Sequence, residues 1–184
     1  MFKIITIQNT VRIPPKLFSD SLEDSILESL KEYESIIDKD LGIIITVMNP
    51  REIGQGKIIF GDGAAYYNVV FDALVFKPDL HEIVKGKIVY ITEFGAFVRF
   101  GPIDGLIHIS QVTDDFMSYN EKTGILAGKN EKKVLKKEDV VNARIIAVSM
   151  KNTIADSKIN LTMRQTGLGK EEWYVKPEKA KEKK

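Results

Sequence analysis

Three short segments in the second half of the chain carry side chains that could bind a nucleic acid. They are Gly86-Lys-Ile88, Phe94-Gly-Ala-Phe97-Val98 and Gly105-Leu-Ile-His108-Ile-Ser110. Successive residues of a strand point to opposite faces, so Phe97 and Arg99 share one face while Val98 and Phe100 share the other. An aromatic ring and a cation on one exposed face can stack a base and attract a phosphate.

Each of these side chains also has a purely structural interpretation. Phe94 and Phe97 fit a barrel core or a loop plug as well as an RNA-binding platform. His108 fits a structural histidine as well as a base contact, because the chain has two histidines and no cysteine to complete a metal site. The lysine cluster from Lys129 to Lys137 is more typical of a solvated loop than of a dedicated RNA contact. The residue types alone leave these alternatives open.

Several kinds of chemistry are disfavoured. The absence of cysteine excludes disulfides, thiolate nucleophiles and cysteine-based zinc sites, and two histidines leave few general bases. The segment Gly54–Gly63 is glycine-rich, but it lacks the Gly-Lys-Ser/Thr ending of a phosphate-binding loop and does not lead from a strand into a helix. No Ser-His-Asp order or nucleophile elbow is found. We therefore expect no active site, no metal and no organic cofactor.

Length and charge indicate two folded modules with different partners. The 184 residues, 43% hydrophobic and 29% charged, are typical of globular domains. The net charge is −4 over residues 1–80, +2 over residues 81–163 and +3 over residues 164–184, so a polyanion would prefer the second half. No run approaches the ~18 apolar residues of a membrane helix, which predicts an intracellular, cytoplasmic protein.

The first 80 residues predict an α+β module, a small antiparallel, RNP-like sheet with one helix in the order β-α-β-β-β. Apolar residues at three- and four-residue steps from Leu22 to Ile37 indicate the helix, with Asp20 and Glu23 as a capping-box-like start. The predicted strands are Phe2–Ile13, Ile43–Met48 ending in a turn at Asn49-Pro50, a short strand framed by two turns within Gly54–Gly63, and Ala64–Phe76.

Residues 81–169 predict an all-β barrel of the OB type, because five short strands with turn signals occupy about 80 residues. A hairpin around Asn120–Gly124 is expected inside the long segment Thr113–Lys137. From residue 170 onward a charged C-terminal tail is predicted, with residues 176–184 solvated. The five predicted barrel strands are Glu82–Ile91, Phe94–Phe100, Leu106–Ile109, Val140–Ser149 and Lys158–Met163.

The three segments resemble the S1 RNA-binding family, in which this spacing marks the first three strands of an OB barrel. The resemblance implies an aromatic platform of Phe94, Phe97 and His108. Phosphate contacts are expected by position and charge at Lys87, Arg99, Arg144 and Lys158. Many S1 domains have an aspartate at the end of the fourth strand and an arginine at the start of the fifth, where this chain has Ser149 and Lys158. This departure predicts weaker RNA binding.

The first module indicates a more specific family than the S1 domain alone. The runs Ile53-Gly-Gln-Gly-Lys-Ile-Ile-Phe-Gly-Asp-Gly-Ala-Ala-Tyr66 and Phe71-Asp-Ala-Leu-Val-Phe-Lys-Pro78, with Gly101-Pro-Ile-Asp-Gly-Leu106 and Leu161-Thr-Met-Arg-Gln165, are similar to the stalk subunits of multisubunit RNA polymerases. These are the archaeal E-prime stalk protein and its counterpart, the seventh subunit of eukaryotic RNA polymerase II. The resemblance extends from residue 1 to about residue 170.

Membership of the stalk family implies a heterodimer with a smaller stalk protein, the F component of the polymerase, docked on the polymerase core near the clamp and the RNA exit path. Single-stranded transcript would cross the S1 face, and nucleotide addition would belong to the large subunits. The docking tip corresponds by position to the two glycine-punctuated loops of the first module, Gly54, Gln55, Gly56 and Lys57 in one and Gly61, Asp62 and Gly63 in the other. Without the resemblance these are two ordinary turns.

Three other hypotheses remain open at this level. A translation-associated S1 protein would bind ribosomes or messenger RNA, and an RNA-processing accessory of the exosome type would accompany a nuclease. The chain could also be the paralogue that serves another nuclear polymerase. The first module, which matches no translation factor, argues against the first of these.

Overall fold

The computed structural model describes residues 1–130 and 133–174, and the chain divides into two compact units. The first unit comprises Met1–Lys77 with Met150–Ile154, and the second comprises Pro78–Ser149 with the chain from Ala155 onward. Within the described ranges, no helix is both long enough and apolar enough to cross a membrane.

The first unit is an antiparallel sheet of four strands with one α-helix, which confirms the predicted α+β class. The strands lie in the order β1-β4-β3-β2, and β1 pairs with β4 over its whole length. Short 3-10 turns occupy Pro15–Leu17 and Lys31–Tyr33. The elements are β1 (Phe2–Ile13), α1 (Leu22–Leu30), β2 (Ile37–Asp38), β3 (Gly42–Ile58) and β4 (Ala65–Phe76).

The helix is shorter than its apolar spacing predicts, and it begins differently. Ser21, not Asp20, caps α1, since its hydroxyl accepts a hydrogen bond from the Asp24 backbone N–H. Ile37 lies in β2 rather than on the helix. Ile26 and Leu30 are fully buried against Val69 and the rest of the inner face of β4. The helix therefore covers one face of the sheet.

The predicted turn at Asn49-Pro50 is wrong, and so is the first of the two turns predicted within Gly54–Gly63, whereas the second, at Gly61–Gly63, is present. β3 continues through Asn49-Pro50 and through Gly54 to Ile58, with four register irregularities against β4. A proline is tolerated in a strand at such an irregularity, where no ladder hydrogen bond is lost. β3 and β4 therefore form one long hairpin with a single turn between Ile58 and Ala65.

The second unit is a closed five-stranded barrel, which confirms the predicted S1/OB class. Its strands follow the order β12-β7-β6-β5-β11, and β11 closes the barrel by pairing with β12. The predicted hairpin around Asn120–Gly124 is present as β8 and β9, which form a small separate sheet with β10. The strands are β5 (Ile83–Thr92), β6 (Gly95–Arg99), β7 (Asp104–His108), β8 (Met117–Asn120), β9 (Ile125–Gly128), β10 (Val134–Leu135), β11 (Val140–Ser149), β12 (Lys158–Thr162) and β13 (Gly169–Lys170).

The end of the described chain is attached to the barrel. β13 pairs with β11, and a 3-10 turn at Glu171–Trp173 follows it. Lys170 Nζ lies 3.2 Å from Asp139 Oδ2, and both side chains are largely buried. The described structure continues to Tyr174, five residues past Gly169, and the predicted solvated segment 176–184 lies outside the described residues.

Candidate nucleic-acid interface

The outer face of β5, β6 and β7 brings together most of the residues that the sequence singles out. In the β6–β7 register, Phe97 lies opposite Leu106 and Gly95 lies opposite His108. Paired residues in an antiparallel ladder point to the same side. The alternating residues Ala96, Val98 and Ile107 are fully buried in the barrel core. Phe97, Arg99 and His108 therefore share the solvent side, as strand periodicity predicts.

A bulge in β5 adds Tyr90 to this face. Ile88 lies opposite Val98, but the next β6 residue, Phe97, lies opposite Tyr90, so Val89 is an extra residue. Residues two apart in a regular strand share a face, and Tyr90 would otherwise point into the barrel as Ile88 does. The bulge reverses the alternation and exposes 44% of the Tyr90 side chain. Sequence periodicity does not indicate Tyr90, because it assumes an unbroken alternation.

Three aromatic rings, Tyr90, Phe94 and Phe97, form an aromatic cluster at this site. The rings of Tyr90 and Phe97 are stacked, with centroids 4.2 Å apart and an interplanar angle of 20°. Phe94 meets Phe97 edge-on, at 6.1 Å and 84°. Phe94 is 47% exposed, and Phe97 is half-buried between its neighbours. Offset stacking and edge-on packing are the preferred arrangements of aromatic rings, so the cluster is a rigid apolar platform open to solvent.

Gly95 allows the close backbone approach beneath the cluster. A Cβ atom built at this position would lie 2.1 Å from the Ile107 carbonyl oxygen. The Ile109 N–H donates to the Phe94 carbonyl at 2.9 Å, which ties the turn before β6 to the end of β7. A side chain at residue 95 would separate these two strands. The glycine therefore places Phe94 next to β7.

Two of the predicted phosphate contacts are already paired with carboxylates. Arg99 donates two hydrogen bonds to Asp104, Nε to Oδ1 at 2.8 Å and Nη2 to Oδ2 at 2.9 Å, and this contact raises the pKa of Arg99. Lys87 forms an ion pair with Glu138, whose pKa is lowered mainly by the hydrogen bond from Lys87. Both cations lie on the outer face, but each has its charge partly neutralised.

Lys158 and Arg144 lie on β12 and β11, outside the strands that carry the aromatic cluster. Lys158 is exposed on β12, two residues before Asn160, which lies opposite Leu106. Arg144 lies on β11 opposite Ile83, at the start of β5 and seven residues before Tyr90. Its Nε is buried, and no hydrogen-bond acceptor among the described residues reaches it. The structure thus brings Lys87 and Arg99 beside the rings and leaves Arg144 at a distance.

His108 has a clear structural contact and is also exposed. Its Nδ1 lies 2.8 Å from Ser110 Oγ and accepts a hydrogen bond from the Ser110 backbone N–H at 3.3 Å, which caps the 3-10 turn Ile109–Gln111. The ring also lies on the outer face, beside Gly95 in the β6–β7 register. The capping contact fixes the orientation of the imidazole next to the aromatic cluster.

One end of the outer face is acidic. An open cleft lies between the turn that joins β5 to β6 and the β8–β9 hairpin, and it is lined by Phe94, Tyr119, Glu93 and Glu121 together with Ile91 and Thr92. Carboxylates repel phosphates, whereas the cations Lys87 and Arg99 lie toward the opposite end of β5 and β6. The charge distribution therefore favours a nucleic-acid backbone on the Lys87 side of the rings.

In the first unit, the residues predicted for docking lie along one end of the β3–β4 hairpin. The expected loop is wrong for Gly54, Gln55, Gly56 and Lys57, because they belong to β3. A Cβ at Gly56 would lie 2.6 Å from the Tyr67 ring, which shows that this glycine makes room for a neighbouring side chain. Gly61, Asp62 and Gly63 do lie in the turn.

The turn of this hairpin presents an apolar tip that was not predicted from the sequence. Ile58, Ile59 and Phe60 are consecutive, Ile58 is 80% exposed and Phe60 is fully exposed. A run of three exposed apolar side chains is typical of an interaction site. The sequence does contain a signal for the tip, namely the unbroken apolar run between Lys57 and Gly61. Strand periodicity interprets this run as a short strand and therefore does not indicate an exposed tip.

Asp62 holds the tip in shape. Its carboxylate accepts two hydrogen bonds from Arg12, at 2.9 and 2.8 Å, and one from the Tyr66 hydroxyl at 2.6 Å. The Asp62 N–H donates to the Ile59 carbonyl, which closes the turn. These contacts, that with Arg12 first, lower the pKa of Asp62 well below its usual range. Asp62 therefore stays charged, and its hydrogen bonds hold the turn that carries the apolar tip.

Two family profiles match the chain. The S1 RNA binding domain matches residues 77–157. The SHS2 domain found in the N terminus of Rpb7p/Rpc25p/MJ0397 matches residues 8–63. The first range contains the aromatic cluster, and the second contains the apolar tip and Asp62.

Similarity to an archaeal protein extends over nearly the whole chain, and other similar proteins match part of it. The DNA-directed RNA polymerase subunit Rpo7 of Saccharolobus shibatae is 42% identical over 180 residues, which are 97% of this chain and 100% of that protein. The DNA-directed RNA polymerase III subunit rpc8 of Schizosaccharomyces pombe is 31% identical over 107 residues, 58% of this chain and 53% of that protein. Among solved structures, GSP13 from Bacillus subtilis is 31% identical, with 56% of this chain and 68% of that chain covered and a TM-score of 0.37.

Proposed function

The chain belongs to the Rpo7 family of DNA-directed RNA polymerase subunits, and we propose that it is a non-catalytic stalk subunit that binds the transcript leaving the enzyme. In this proposal it pairs with the smaller F component of the stalk in the cytoplasm and docks on the polymerase core near the clamp. It supports initiation and elongation, while the large subunits carry out nucleotide addition. Residues 1–80 serve docking, residues 81–169 bind RNA, and residues 170–184 form a charged tail.

The observation that carries the RNA-binding role is the aromatic cluster on the outer face of the barrel. Three rings packed against each other, two of them more than 40% exposed, present aromatic surface to solvent. Stacking of one base on such a surface contributes about 1–3 kcal/mol and accepts any base. A transcript of any sequence can therefore be bound, which is what a subunit near an RNA exit path requires.

The ion pairs of the outer face indicate that RNA binding is weak. Because Arg99 and Lys87 are already paired with Asp104 and Glu138, a phosphate must compete with a carboxylate at each position. Stacking is then the main contribution, and salt reduces the affinity less than in proteins with free cations. Weak binding suits a transcript held by the polymerase itself, because the effective concentration near the stalk is high.

The apolar tip supports the docking role. Ile58, Ile59 and Phe60 are exposed at the end of a hairpin whose turn is held by Asp62 and Arg12. Burial of such side chains against another protein is favourable, by about 25 cal/mol per Å² of apolar surface. We therefore assign the docking contact to the tip, with the predicted residues Gly61, Asp62 and Gly63 forming its turn. Gly54, Gln55, Gly56 and Lys57 form the strand that leads into it.

The other hypotheses are less well supported. A translation-associated S1 protein or an exosome-type accessory accounts for the barrel but not for the SHS2 domain over residues 8–63. Similarity to Rpo7 over 97% of the chain includes both modules.

The test is affinity purification of the tagged full-length chain from its native cell. We expect the large polymerase subunits and one small partner to copurify. Phe60→Lys should greatly reduce recovery of the large subunits, because a charge at the tip opposes burial. Phe116→Lys, which changes an exposed phenylalanine of the barrel unit, is the matched control and should retain them. Recovery of ribosomal proteins or nucleases without polymerase would overturn the proposal.

A further inference from the structure

We infer that Tyr90 provides the open stacking face for an RNA base on the barrel, and that Phe97 supports it as a positioning residue. This inference rests on the proposed RNA-binding function and assigns its central contact. The sequence analysis instead indicates Phe94, Phe97 and His108 as the platform that would contact RNA.

The packing of Phe97 leaves little of its ring available for stacking with a base. One face of its ring is covered by Tyr90, at a centroid distance of 4.2 Å and nearly parallel, and the edge of Phe94 packs against it at 6.1 Å. Phe97 is half-buried, whereas Tyr90 is 44% exposed. A base that approaches from the Tyr90 side therefore meets the free face of Tyr90 before it can reach Phe97.

Among the described residues, the backbone pairing of β5 on the side away from β6 ends before Tyr90. On the side away from β6, β5 pairs with β11 only from Ile83 to Lys87, and Ile88 then bonds to the backbone of Glu138 and Asp139. The described backbone pairing on that side ends two residues before Tyr90. A base can therefore lie against Tyr90 on this side without breaking a described hydrogen bond between β5 and β11.

The bulge at Val89 shows that Tyr90 is placed on this face by the fold. A regular strand would direct Tyr90 into the barrel, behind Ile88. The extra residue turns it outward and brings it over Phe97. Tyr90 and Phe94, exposed side by side with Phe97, form a contiguous aromatic surface of the kind that is typical of interaction sites.

The test is fluorescence anisotropy of the full-length chain with a labelled single-stranded RNA of mixed sequence. Tyr90→Leu keeps apolar bulk but removes the aromatic face, and it should weaken binding about 5- to 150-fold, the range expected for one stacked base. Tyr90→Phe keeps the ring and should bind within about twofold of wild type. Phe116→Leu removes an exposed ring elsewhere on the barrel unit and should have no effect.

The outcomes separate the inference from the proposed function. If wild type does not bind the RNA at all, the RNA-binding function fails. If wild type binds and Tyr90→Leu binds equally well, the function stands and the assignment of Tyr90 is overturned. Unchanged circular dichroism and thermal midpoint in Tyr90→Leu exclude misfolding as the reason for a loss.

The supporting role of Phe97 has its own readout. If Phe97 acts through Tyr90, the double variant Tyr90→Leu/Phe97→Leu binds no more weakly than the weaker single variant, and Phe97→Tyr retains binding. If the fold-losses in affinity of the two single variants multiply in the double variant, Phe97 contacts a base independently of Tyr90. That result would overturn the positioning role.

A spectroscopic measurement tests the contact directly. Trp173 is the only tryptophan in the chain, so its emission gives the baseline response to RNA. In Tyr90→Trp, unlabelled RNA should quench additional emission with the same saturation as the anisotropy signal. Binding without additional quenching would contradict a base stacked on residue 90.

Discussion

Arg99 and Asp104 lie opposite each other on β6 and β7 and are joined by two parallel hydrogen bonds of 2.8 and 2.9 Å. The pair stands directly beside Phe97, on the same face of the barrel. A bidentate arginine–carboxylate contact is among the stronger surface ion pairs, and it occupies two of the five N–H donors that Arg99 could offer a phosphate. Asp104 therefore limits how strongly this face attracts RNA.

Removal of the carboxylate should strengthen RNA binding. In Asp104→Asn the guanidinium of Arg99 is released for a phosphate, and we expect an affinity about two- to fivefold higher at low salt. The slope of log K against log salt should steepen by about 0.7, the value for one further phosphate contact on a single strand. Anisotropy titrations at several salt concentrations measure both quantities. An unchanged slope would show that Arg99 does not reach the RNA backbone.

The Lys87–Glu138 pair predicts a pH dependence of stability. Lys87 lowers the pKa of Glu138, so the pair stabilises the folded state above the ordinary carboxyl range and loses this effect as pH falls through the depressed pKa. Glu138→Gln should therefore lower the urea midpoint slightly at pH 7 and show a smaller decline on acidification than wild type. Both side chains are more than half exposed, so the difference should be small and should decrease in high salt. Parallel pH curves would contradict this role.

Asp62 predicts a local effect at the hairpin tip. Asp62→Asn keeps the size of the side chain but removes the charge that binds Arg12, so the turn around Ile59 and Phe60 should open more often. Amide hydrogen exchange should accelerate between residues 58 and 66 and stay unchanged in the barrel. Copurification of polymerase should fall in parallel. Normal docking with a loosened tip would show that tip geometry does not matter for binding.

Gly95 predicts a loss of fold stability. In Gly95→Ala the new Cβ would lie 2.1 Å from the Ile107 carbonyl oxygen, so β6 and β7 must separate. We expect a loss of about 3 kcal/mol in the free energy of unfolding, at the upper end for overpacked sites. Gly63→Ala is the control, because its Cβ would meet only Pro15 Cγ at 3.6 Å, an ordinary contact. Equal stability of the two variants would contradict the close-packing argument.

The fold was largely predictable because its strands alternate regularly. The predicted β11 matches the observed strand Val140–Ser149, and β1 matches Phe2–Ile13. Errors arise where the alternation breaks. Because of the bulge at Val89, strand periodicity does not predict that Tyr90 lies on the outer face. Because of the register irregularities around Pro50, the pattern of the single strand β3 predicts two strands.

The electrostatics of the site could not be predicted from the sequence. Arg12 and Asp62 are 50 positions apart, as are Arg164 and Asp114, and Lys87 and Glu138 are 51 positions apart. The residues that surround a lysine or arginine in the sequence do not indicate that its side chain forms an ion pair with a carboxylate about 50 positions away. Strand periodicity predicts that Arg99 shares the face of Phe97, but its ion pair with Asp104 is seen only in the fold. The roles of all these residues in RNA binding remain predictions.

The central claim is tested most directly by crosslinking nascent RNA in assembled polymerase. A photoreactive benzoyl-phenylalanine replaces Phe94 in the chain, and elongation complexes are stalled with radiolabelled transcripts of increasing length. We predict a crosslink to residue 94 once the transcript is long enough to leave the enzyme, and none from the same group at the exposed residue Phe2. A chain that is fully incorporated into the polymerase but forms no crosslink at residue 94 with any transcript would contradict the claim.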